Sequence, residues 1–309
     1  MISISEIEKV FKGRISLNEV LAPYTTTFRI GGAADYFLEP NDASDVVSII
    51  NYVNKRGIPL FVLGNGSNIL ISDEGIRGIV INMISGFSYL KHENGYIISG
   101  SGVKMAKFVD YCIQMGYAGV EMLAGIPATI GGALVMNAGC YGGEMADHVT
   151  NITLVRNGNL MVQSKNECNF GYRTSNLKGT VILEAKFMLP EGNREETTNR
   201  RKELLLKRNE SQPVEIPNAG CVFKNPPGNY AAALIEQCGL KGLTYGGAMV
   251  STKHANYIIN YNKATANDVI ELVKIIKKTV LEQKEIELNM EVKLVGFEPG
   301  RLEESEGVK

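Results

Sequence analysis

The chain has 309 residues, of which 44% are hydrophobic, so it can bury a substantial core without disulfide support. Its 32 Lys and Arg residues balance 33 Asp and Glu residues, and the net charge of −1 leaves no basic surplus for a nucleic-acid backbone. It has no apolar run long enough to span a membrane, no signal-peptide pattern and five cysteines without a CxxC pair. We therefore expect a cytoplasmic protein with reduced thiols and with neither a nucleic-acid nor a membrane partner.

Alternating short elements are predicted for the first third of the chain. Apolar spacing predicts a helix over residues 3–12, and β-branched and aromatic residues at 24–30 favour a strand that ends at Gly31 and Gly32. Residues 35–72 predict a β-α-β unit with these elements: strand 36–38, a helix capped by Asn41, strand 60–63 and strand 69–71. Strands between residues 79 and 101 and a helix through Val109, Cys112 and Met115 follow.

Two glycine-rich segments indicate places where the backbone approaches a ligand. The loop at 63–68 follows a buried strand and could cradle phosphates, although a hairpin turn is the alternative. A Rossmann fingerprint is rejected because Ile69 stands where G-x-G-x-x-G requires glycine, and no P-loop motif occurs. Residues 125–143 are dense in glycine, and the pair Gly131 and Gly132 predicts a helix whose unpaired N–H groups face a diphosphate. A tight crossover inside a core is the alternative.

The second half predicts a separate unit after a charged connector. Residues 191–210 are the most highly charged stretch and read as a solvated helix between two domains. Beyond it the pattern predicts these elements: strand 221–223, helix 231–238, strand 257–259, a long helix that begins at Thr265 with Asp268 completing an approximate capping box, and strand 291–295. The tail from Glu298 is polar, and we expect it to be mobile.

Three residues stand out as candidates for chemistry. Arg173 follows an aromatic residue in GYRTS, and a buried guanidinium there would suit a carboxylate or a developing enolate. Cys221 lies between a glycine and the predicted strand, where a thiol could be a nucleophile or a proton donor. Glu291 is either an inward acid or an outward residue of an alternating strand. A surface arginine and an inert cysteine are the alternatives for the first two.

Other chemistries find little support. His254 has no second histidine or carboxylate at metal-ligand spacing, so we expect no metal site. No G-x-S-x-G motif occurs, which argues against a serine hydrolase of that type.

With these residues collected, the chain resembles the UDP-N-acetylenolpyruvoylglucosamine reductase family of flavoenzymes from about residue 24 to residue 296. The motifs that carry the resemblance are TTFRIGG at 26–32, LGNGSN at 63–68, AGIPATIGGALVMNAGCYG at 124–142, GYRTS at 171–175, GCVFKNP at 220–226, LIEQCGLKG at 234–242, HANYIIN at 254–260 and MEVKLVG at 290–296. Their number and their order make a chance match improbable.

The resemblance implies a mixed α/β and α+β fold with an FAD-binding domain of the vanillyl-alcohol-oxidase (PCMH) type, built from two α/β subdomains, and a C-terminal α+β substrate domain. The expected boundaries are these: an N-terminal helix or extension at 1–23, the FAD-binding domain at 24–190, a connecting helix at 191–210, the substrate domain at 211–297 and a polar tail at 298–309. We expect a monomer.

The resemblance also implies an activity, cofactors and site residues. NADPH would reduce FAD, and a hydride would then pass to the enolpyruvyl ether of UDP-N-acetylglucosamine. The expected FAD contacts are Gly64, Asn65, Gly66, Ser67, Asn68, Gly102, Gly125, Ile126, Pro127, Thr129, Gly131, Gly132, Asn137 and Gly139. The expected substrate contacts are Tyr172, Lys224, Asn225 and His254. Arg173 would stabilise the enolate-like carboxylate with assistance from the acid Glu291, and Cys221 would protonate C2.

The chain departs from the family pattern at three places. Cys221 stands where the family usually has serine, and because a thiol is the stronger acid we expect activity to survive, at the cost of sensitivity to oxidation. Ala128 replaces a common glycine, which is tolerable only at negative φ. The short region 220–250 leaves no room for a long substrate-covering loop and indicates the shorter subtype. The alternatives are another FAD-dependent oxidase or dehydrogenase of the superfamily and a non-catalytic flavin sensor.

Overall fold

The computed structural model describes residues 3–22 and 25–298. The chain divides into two compact units, the first made of residues 1–18, 35–65 and 78–207 and the second of residues 19–34, 66–77 and 208–309. Each unit is therefore built from separate stretches of sequence. The prediction of a polar, mobile tail concerns 298–309, of which all but the first residue lie outside the described residues.

The described residues form seven α-helices and sixteen strands. The helices are α1 Ile4–Val10, α2 Ala43–Arg56, α3 Met105–Gln114, α4 Ile130–Val135, α5 Arg194–Ser211, α6 Ala231–Gln237 and α7 Ala266–Lys284. The strands are β1 Arg14–Val20, β2 Ala33–Glu39, β3 Leu60–Leu63, β4 Ile69–Ile71, β5 Ile76–Asn82, β6 Leu90–Glu93, β7 Tyr96–Gly100, β8 Gly139–Cys140, β9 Gly143–Glu144, β10 Val149–Arg156, β11 Asn159–Ser164, β12 Val181–Phe187, β13 Thr244–Tyr245, β14 Ala248–Val250, β15 Ile258–Asn260 and β16 Lys293–Val295.

The first unit contains a five-stranded sheet of order β11-β10-β12-β7-β6, in which all four pairings are antiparallel. Most residues of a four-stranded sheet of order β1-β2-β5-β3 also belong to this unit, and β3 runs parallel to β5. Two apolar clusters cover these sheets. One packs α3 and α4 against β10 and β12, and the other packs α1 and α2 against β5, together with Val155, Val181 and Leu183. The second cluster joins residues of both sheets.

Local sequence signals account for the helix boundaries. Asp42 caps α2 by accepting hydrogen bonds from Ser44 and Asp45, and Gly57 ends the helix in the left-handed region at φ 62°. The predicted cap at Asn41 was therefore one residue early. At α7 the predicted capping box is present, since Thr265 and Asp268 each accept a bond from the other's backbone.

The second unit combines a three-stranded antiparallel sheet, β13-β14-β15, with the parallel pair β16-β4. Helix α7 buries Val269, Leu272, Ile276 and Val280 in a core that also contains Phe28 and Leu70. The parallel pairing joins residues 293–295 to residues 69–71, so a segment near the end of the chain completes structure begun in the first quarter.

Two secondary-structure predictions were wrong, and a third, the strand at 291–295, began two residues too early. Residues 25–30 form bends and irregular backbone, with Arg29 at φ 55° and the Thr27 hydroxyl donating to the Asn218 carbonyl. These tertiary contacts outweigh the β propensity of the segment. Residue 24 lies outside the described part of the chain. Residues 221–223 make only an isolated bridge between Phe223 and Met290. Glu291 precedes β16 and lies outside it. Strand β1, by contrast, had no strong apolar alternation and was not predicted.

Within the described residues, no helix is long and apolar enough to cross a membrane. The same part of the chain holds no group of three or more His, Cys, Asp or Glu side chains arranged to bind a metal.

Candidate functional site

In the first unit, the loop after β3 touches the glycine-rich segment that begins at residue 125. The Asn65 Nδ2 donates to the Pro127 carbonyl at 2.6 Å. A methyl group at Gly64 would collide with the Thr129 hydroxyl, so only glycine allows this approach. Two segments that the sequence predicted separately to hold one cofactor are thus in direct contact.

The start of α4 differs from the expectation of unpaired N–H groups. The N–H groups of Ile130 and Gly131 donate to the carbonyls of Val103 and Ser101 at 2.9 and 2.8 Å, and the Thr129 hydroxyl accepts a long bond from Gly132 at 3.5 Å. The helix is also short, with six residues. The prediction that several free N–H groups converge there on a diphosphate was therefore wrong, because the turn at 101–103 uses two of them.

Two features at the contact between the turn at 101–103 and the start of α4 fit a bound cofactor. The Ser101 hydroxyl is buried and has no hydrogen-bond partner among the described residues. A methyl group at Gly132 would meet only the Thr129 hydroxyl at 3.6 Å, so the protein itself leaves that position open. Gly102 in this turn was among the expected cofactor contacts, but the neighbouring Ser101 was missed as a polar group available to a ligand.

We predict that Gly132→Ala lowers the affinity for FAD at least about tenfold without lowering the melting temperature of the cofactor-free protein. Alanine has room within the protein and favours a helix, so a loss of affinity reports a cofactor against this position. FAD titration by fluorescence quenching measures the affinity, and thermal unfolding of apoprotein measures stability.

Gly64→Ala provides the contrast, because its methyl group collides with Thr129 in the protein itself. It should lower both the FAD affinity and the melting temperature. If Gly132→Ala binds FAD normally, the start of α4 does not face the cofactor.

Other residues predicted to contact the cofactor have partners within the first unit. Asn137 is fully buried, its Nδ2 donating to the Gly171 carbonyl at 3.2 Å and its Oδ1 accepting from the Ala146 N–H at 3.0 Å. The amide thus ties the long glycine segment to the GYRTS turn. Its role in cofactor binding, like that of Gly102, Gly125, Ile126 and Gly139, stays a prediction.

Arg173 is half-buried in a tight turn of the first unit. The turn is closed by hydrogen bonds in both directions between Gly171 and Thr174, and Arg173 has φ 54°. Its Nη2 donates to the Gly139 carbonyl at 3.1 Å, and its guanidinium carbon lies 5.2 Å from the centre of the Tyr172 ring. Tyr172 is 54% exposed. The guanidinium is therefore oriented by the protein, while its aromatic neighbour is available to a ligand.

In the second unit, Cys221 and Glu291 lie on neighbouring segments. The Glu291 N–H donates to the Val222 carbonyl at 2.8 Å, one residue from the cysteine. Asn68 secures the other side of the acid's segment, since its Nδ2 donates to the Glu291 carbonyl at 3.3 Å and its own carbonyl accepts from Lys293 at 3.0 Å. The structure thus uses the Asn68 side chain, predicted to contact the cofactor, to hold Glu291.

The predicted substrate contacts Lys224 and Asn225 continue the same segment. The Lys224 N–H donates to the Asn289 carbonyl at 2.8 Å, and the Asn225 Oδ1 accepts from the Ala231 N–H at the start of α6 at 3.1 Å. Arg173 belongs to the first unit, whereas Cys221 and Glu291 belong to the second, so their action on one substrate stays a prediction.

His254 is half-buried beside Tyr257, with 4.8 Å between ring centres, and its Nδ1 is buried without a partner among the described residues. Burial lowers the pKa of His254, and the positive charge of Lys241 lowers it further. Arg208 acts in the same direction and Glu236 opposes it.

A histidine with a lowered pKa binds fewer protons in the folded protein than in the unfolded chain. Its stabilising effect is complete above the unfolded pKa of about 6.5 and is lost as the pH falls below it. Lowering the pH from about 7.5 to about 5.5 should therefore destabilise the unmodified protein more than His254→Gln. The melting temperature of the variant should rise relative to that of the unmodified protein over this range. Melting temperatures at both pH values test this, with the exposed His92→Gln as control. If the difference in melting temperature between the variant and the unmodified protein is the same at both pH values, the prediction is contradicted.

Comparison with known proteins accounts for nearly the whole chain. A family model for an FAD binding domain matches residues 34–162, and one for the C-terminal domain of UDP-N-acetylenolpyruvoylglucosamine reductase matches residues 212–295. The reductase of Chloroherpeton thalassium is 40% identical over 307 residues, covering 96% of this chain and 98% of that one. The reductase of Clostridium novyi is 39% identical over 296 residues, covering 95% of this chain and 96% of that one.

A solved structure agrees. The crystal structure of UDP-N-acetylenolpyruvylglucosamine reductase (MurB) from Thermus caldophilus superposes with a TM-score of 0.78 at 36% identity, covering 92% of this chain and 99% of that one. The expected fold, an FAD-binding domain followed by a reductase C-terminal domain, is thereby confirmed. With relatives of this identity along almost its full length, the chain belongs to the UDP-N-acetylenolpyruvoylglucosamine reductase family.

Proposed function

We propose that this chain uses NADPH to reduce the enolpyruvyl ether of UDP-N-acetylglucosamine to UDP-N-acetylmuramate, a precursor of peptidoglycan. The relatives along its full length carry the name of that reductase. The structural observation that carries the proposal is the hydrogen bond from Glu291 to Val222, which fixes the predicted acid beside the segment of the predicted proton donor Cys221. The partners of the reaction are small molecules.

When bound, FAD would supply hydride transfer from NADPH to C3 of the enolpyruvyl group, and the glycine-rich segments at 63–68 and 125–132 would hold it. The chain's own residues manage the charge and the proton that this transfer requires. Arg173 presents its guanidinium to the substrate carboxylate, which gains negative charge from C2 as C3 receives the hydride. Glu291 assists this stabilisation. Cys221 donates its thiol proton to C2, and the resulting thiolate recovers a proton from solvent.

We also propose the domain boundaries given by the sequence, 24–190 for the FAD-binding domain and 211–297 for the substrate domain, with residues 25–34 and 66–77 of the first range belonging to the second compact unit. The family-model matches at 34–162 and 212–295 support them. A cytoplasmic location is part of the proposal, and it is supported by the five cysteines, none of which forms a disulfide among the described residues. Burial raises the pKa of Cys168 to about 11, so that thiol stays protonated and unreactive at neutral pH.

The decisive experiment follows the visible spectrum of the purified protein without oxygen. NADPH should bleach the flavin absorbance, and the enolpyruvyl ether of UDP-N-acetylglucosamine should then restore it while UDP-N-acetylmuramate appears in equal amount by mass spectrometry. A protein that retains flavin and is bleached by NADPH but is not reoxidised by this substrate would overturn the proposal and favour another flavin-dependent dehydrogenase.

A further inference from the structure

One buried side chain holds the segment that carries Cys221. Asn256 is 3% exposed. Its Oδ1 accepts from the Phe223 N–H at 2.9 Å, and its Nδ2 donates to the Phe223 carbonyl at 2.8 Å. The backbone carbonyl of Asn256 also accepts from the Val222 N–H at 2.8 Å. One residue thus makes three hydrogen bonds to the two residues that follow the cysteine.

The opposite edge of this segment is bonded to the Glu291 region. The Val222 carbonyl accepts from the Glu291 N–H, and the Lys224 N–H donates to the Asn289 carbonyl, each at 2.8 Å. Residues 221–224 form no strand of their own. The Asn256 amide therefore makes the two backbone hydrogen bonds to Phe223 that a neighbouring strand would otherwise make. The backbone conformation next to Cys221 depends on these bonds.

The chemistry of this contact requires an amide. Phe223 presents both a donor and an acceptor, and asparagine supplies the complementary pair within one planar group. An ionised aspartate at residue 256 would keep the acceptor and lose the donor, whereas alanine would lose both. This difference separates a specific hydrogen-bonding role from simple filling of space.

We propose that Asn256 is a positioning residue for the proton donor. It fixes the backbone of residues 222 and 223, so that the Cys221 thiol and Glu291 keep their positions relative to each other. The proposal rests on the proposed function for the role of Cys221. It concerns the delivery of the proton and leaves the reduction of FAD by NADPH untouched.

The test compares Asn256→Asp and Asn256→Ala with Asn260→Ala. Asn260 is a matched control, since it belongs to β15 and its side chain also bonds backbone groups, those of Ala264, Phe28 and Arg29, but none of residues 221–224. Rapid mixing measures the two half-reactions separately. Both Asn256 variants should slow reoxidation by substrate about tenfold, with FAD reduction by NADPH unchanged, while the control changes neither.

The aspartate variant adds a pH signature. A protonated carboxylic acid regains a donor toward the Phe223 carbonyl, and burial raises the pKa of such an acid. The deficit of Asn256→Asp relative to the unmodified protein should therefore shrink as the pH is lowered from about 8 to about 6. The deficit of Asn256→Ala should not shrink in this way.

A measurement independent of turnover completes the test. The rate at which iodoacetamide alkylates Cys221, followed by peptide mass spectrometry, should change at least about threefold in both Asn256 variants, while alkylation of Cys140 and Cys238 stays constant. Equal slowing of both half-reactions, or unchanged Cys221 alkylation, would overturn the proposal. If the unmodified protein forms no product but Cys221 alkylation still responds to residue 256, the reductase assignment fails and the positioning role stands.

Discussion

Cys221→Ala is expected to slow product formation by about 10²- to 10⁴-fold, the usual contribution of a positioned proton donor. FAD reduction by NADPH should keep its rate, because that half-reaction transfers a hydride and needs no proton at C2. Anaerobic rapid mixing resolves the two steps, with flavin absorbance as the signal. If FAD reduction slows as much as product formation, Cys221 has a different role.

Serine is the informative replacement at this position. Cys221→Ser should retain much of the activity, since a hydroxyl occupies the same place and can also donate a proton. Treatment with hydrogen peroxide should inactivate the unmodified protein and spare the serine variant, because only the thiol is oxidised. Cys238→Ala serves as control for loss of a half-buried thiol elsewhere in the second unit. A serine variant without activity would mean that the thiol does more than donate a proton.

Local signals predicted the elements that are specified by adjacent residues. The capping box of Thr265 and Asp268 and the apolar runs at 60–63 and 69–71 lie where the sequence placed them. Such elements depend on hydrogen bonds and burial patterns that extend over only a few residues. Predictions of this kind survive folding when no distant contact competes with them.

The errors occurred where distant segments decide the conformation. Residues 25–30 have a strand-like composition, yet Thr27 bonds to Gly66 and Asn218, which are far apart in sequence. The segment around Cys221 is likewise bonded to residues 256 and 291 and forms no strand. Pairing partners separated by tens or hundreds of residues leave no periodic signal, so propensity alone could not identify them.

The candidate site shows the same difference between features that composition could identify and features that depend on the folded structure. Glycines 64 and 132 drew attention because of composition, and the structure gives each a distinct reason, a close approach for one and open space for the other. Asn256 was overlooked although it interrupts the buried run of Ala255, Tyr257 and Ile258. A polar amide in such a run must find partners within the protein, and this signal could have identified it.

The second large effect is expected at Arg173. Its guanidinium is oriented by the Gly139 carbonyl at 3.1 Å and by the ring of Tyr172, so the two N–H donors that would bind a carboxylate are positioned before substrate arrives. Removing a preorganised donor of this kind costs about 10²- to 10³-fold in rate, or about 3–4 kcal/mol of transition-state stabilisation. We predict that Arg173→Ala loses this much in substrate-driven reoxidation while its flavin spectrum remains normal.

Arg173→Lys should be nearly as impaired as the alanine variant, because an ammonium group keeps the charge but cannot form the two parallel bonds that a guanidinium makes to a carboxylate. Arg156→Ala is the matched control, since Arg156 also donates to a backbone carbonyl of the first unit, that of Asn176, at 3.0 Å. Added guanidinium ion should restore part of the rate to Arg173→Ala, which separates a missing charge from a distorted turn. Full activity in the lysine variant would show that charge alone suffices, and then the planar fork has no part in stabilising the carboxylate.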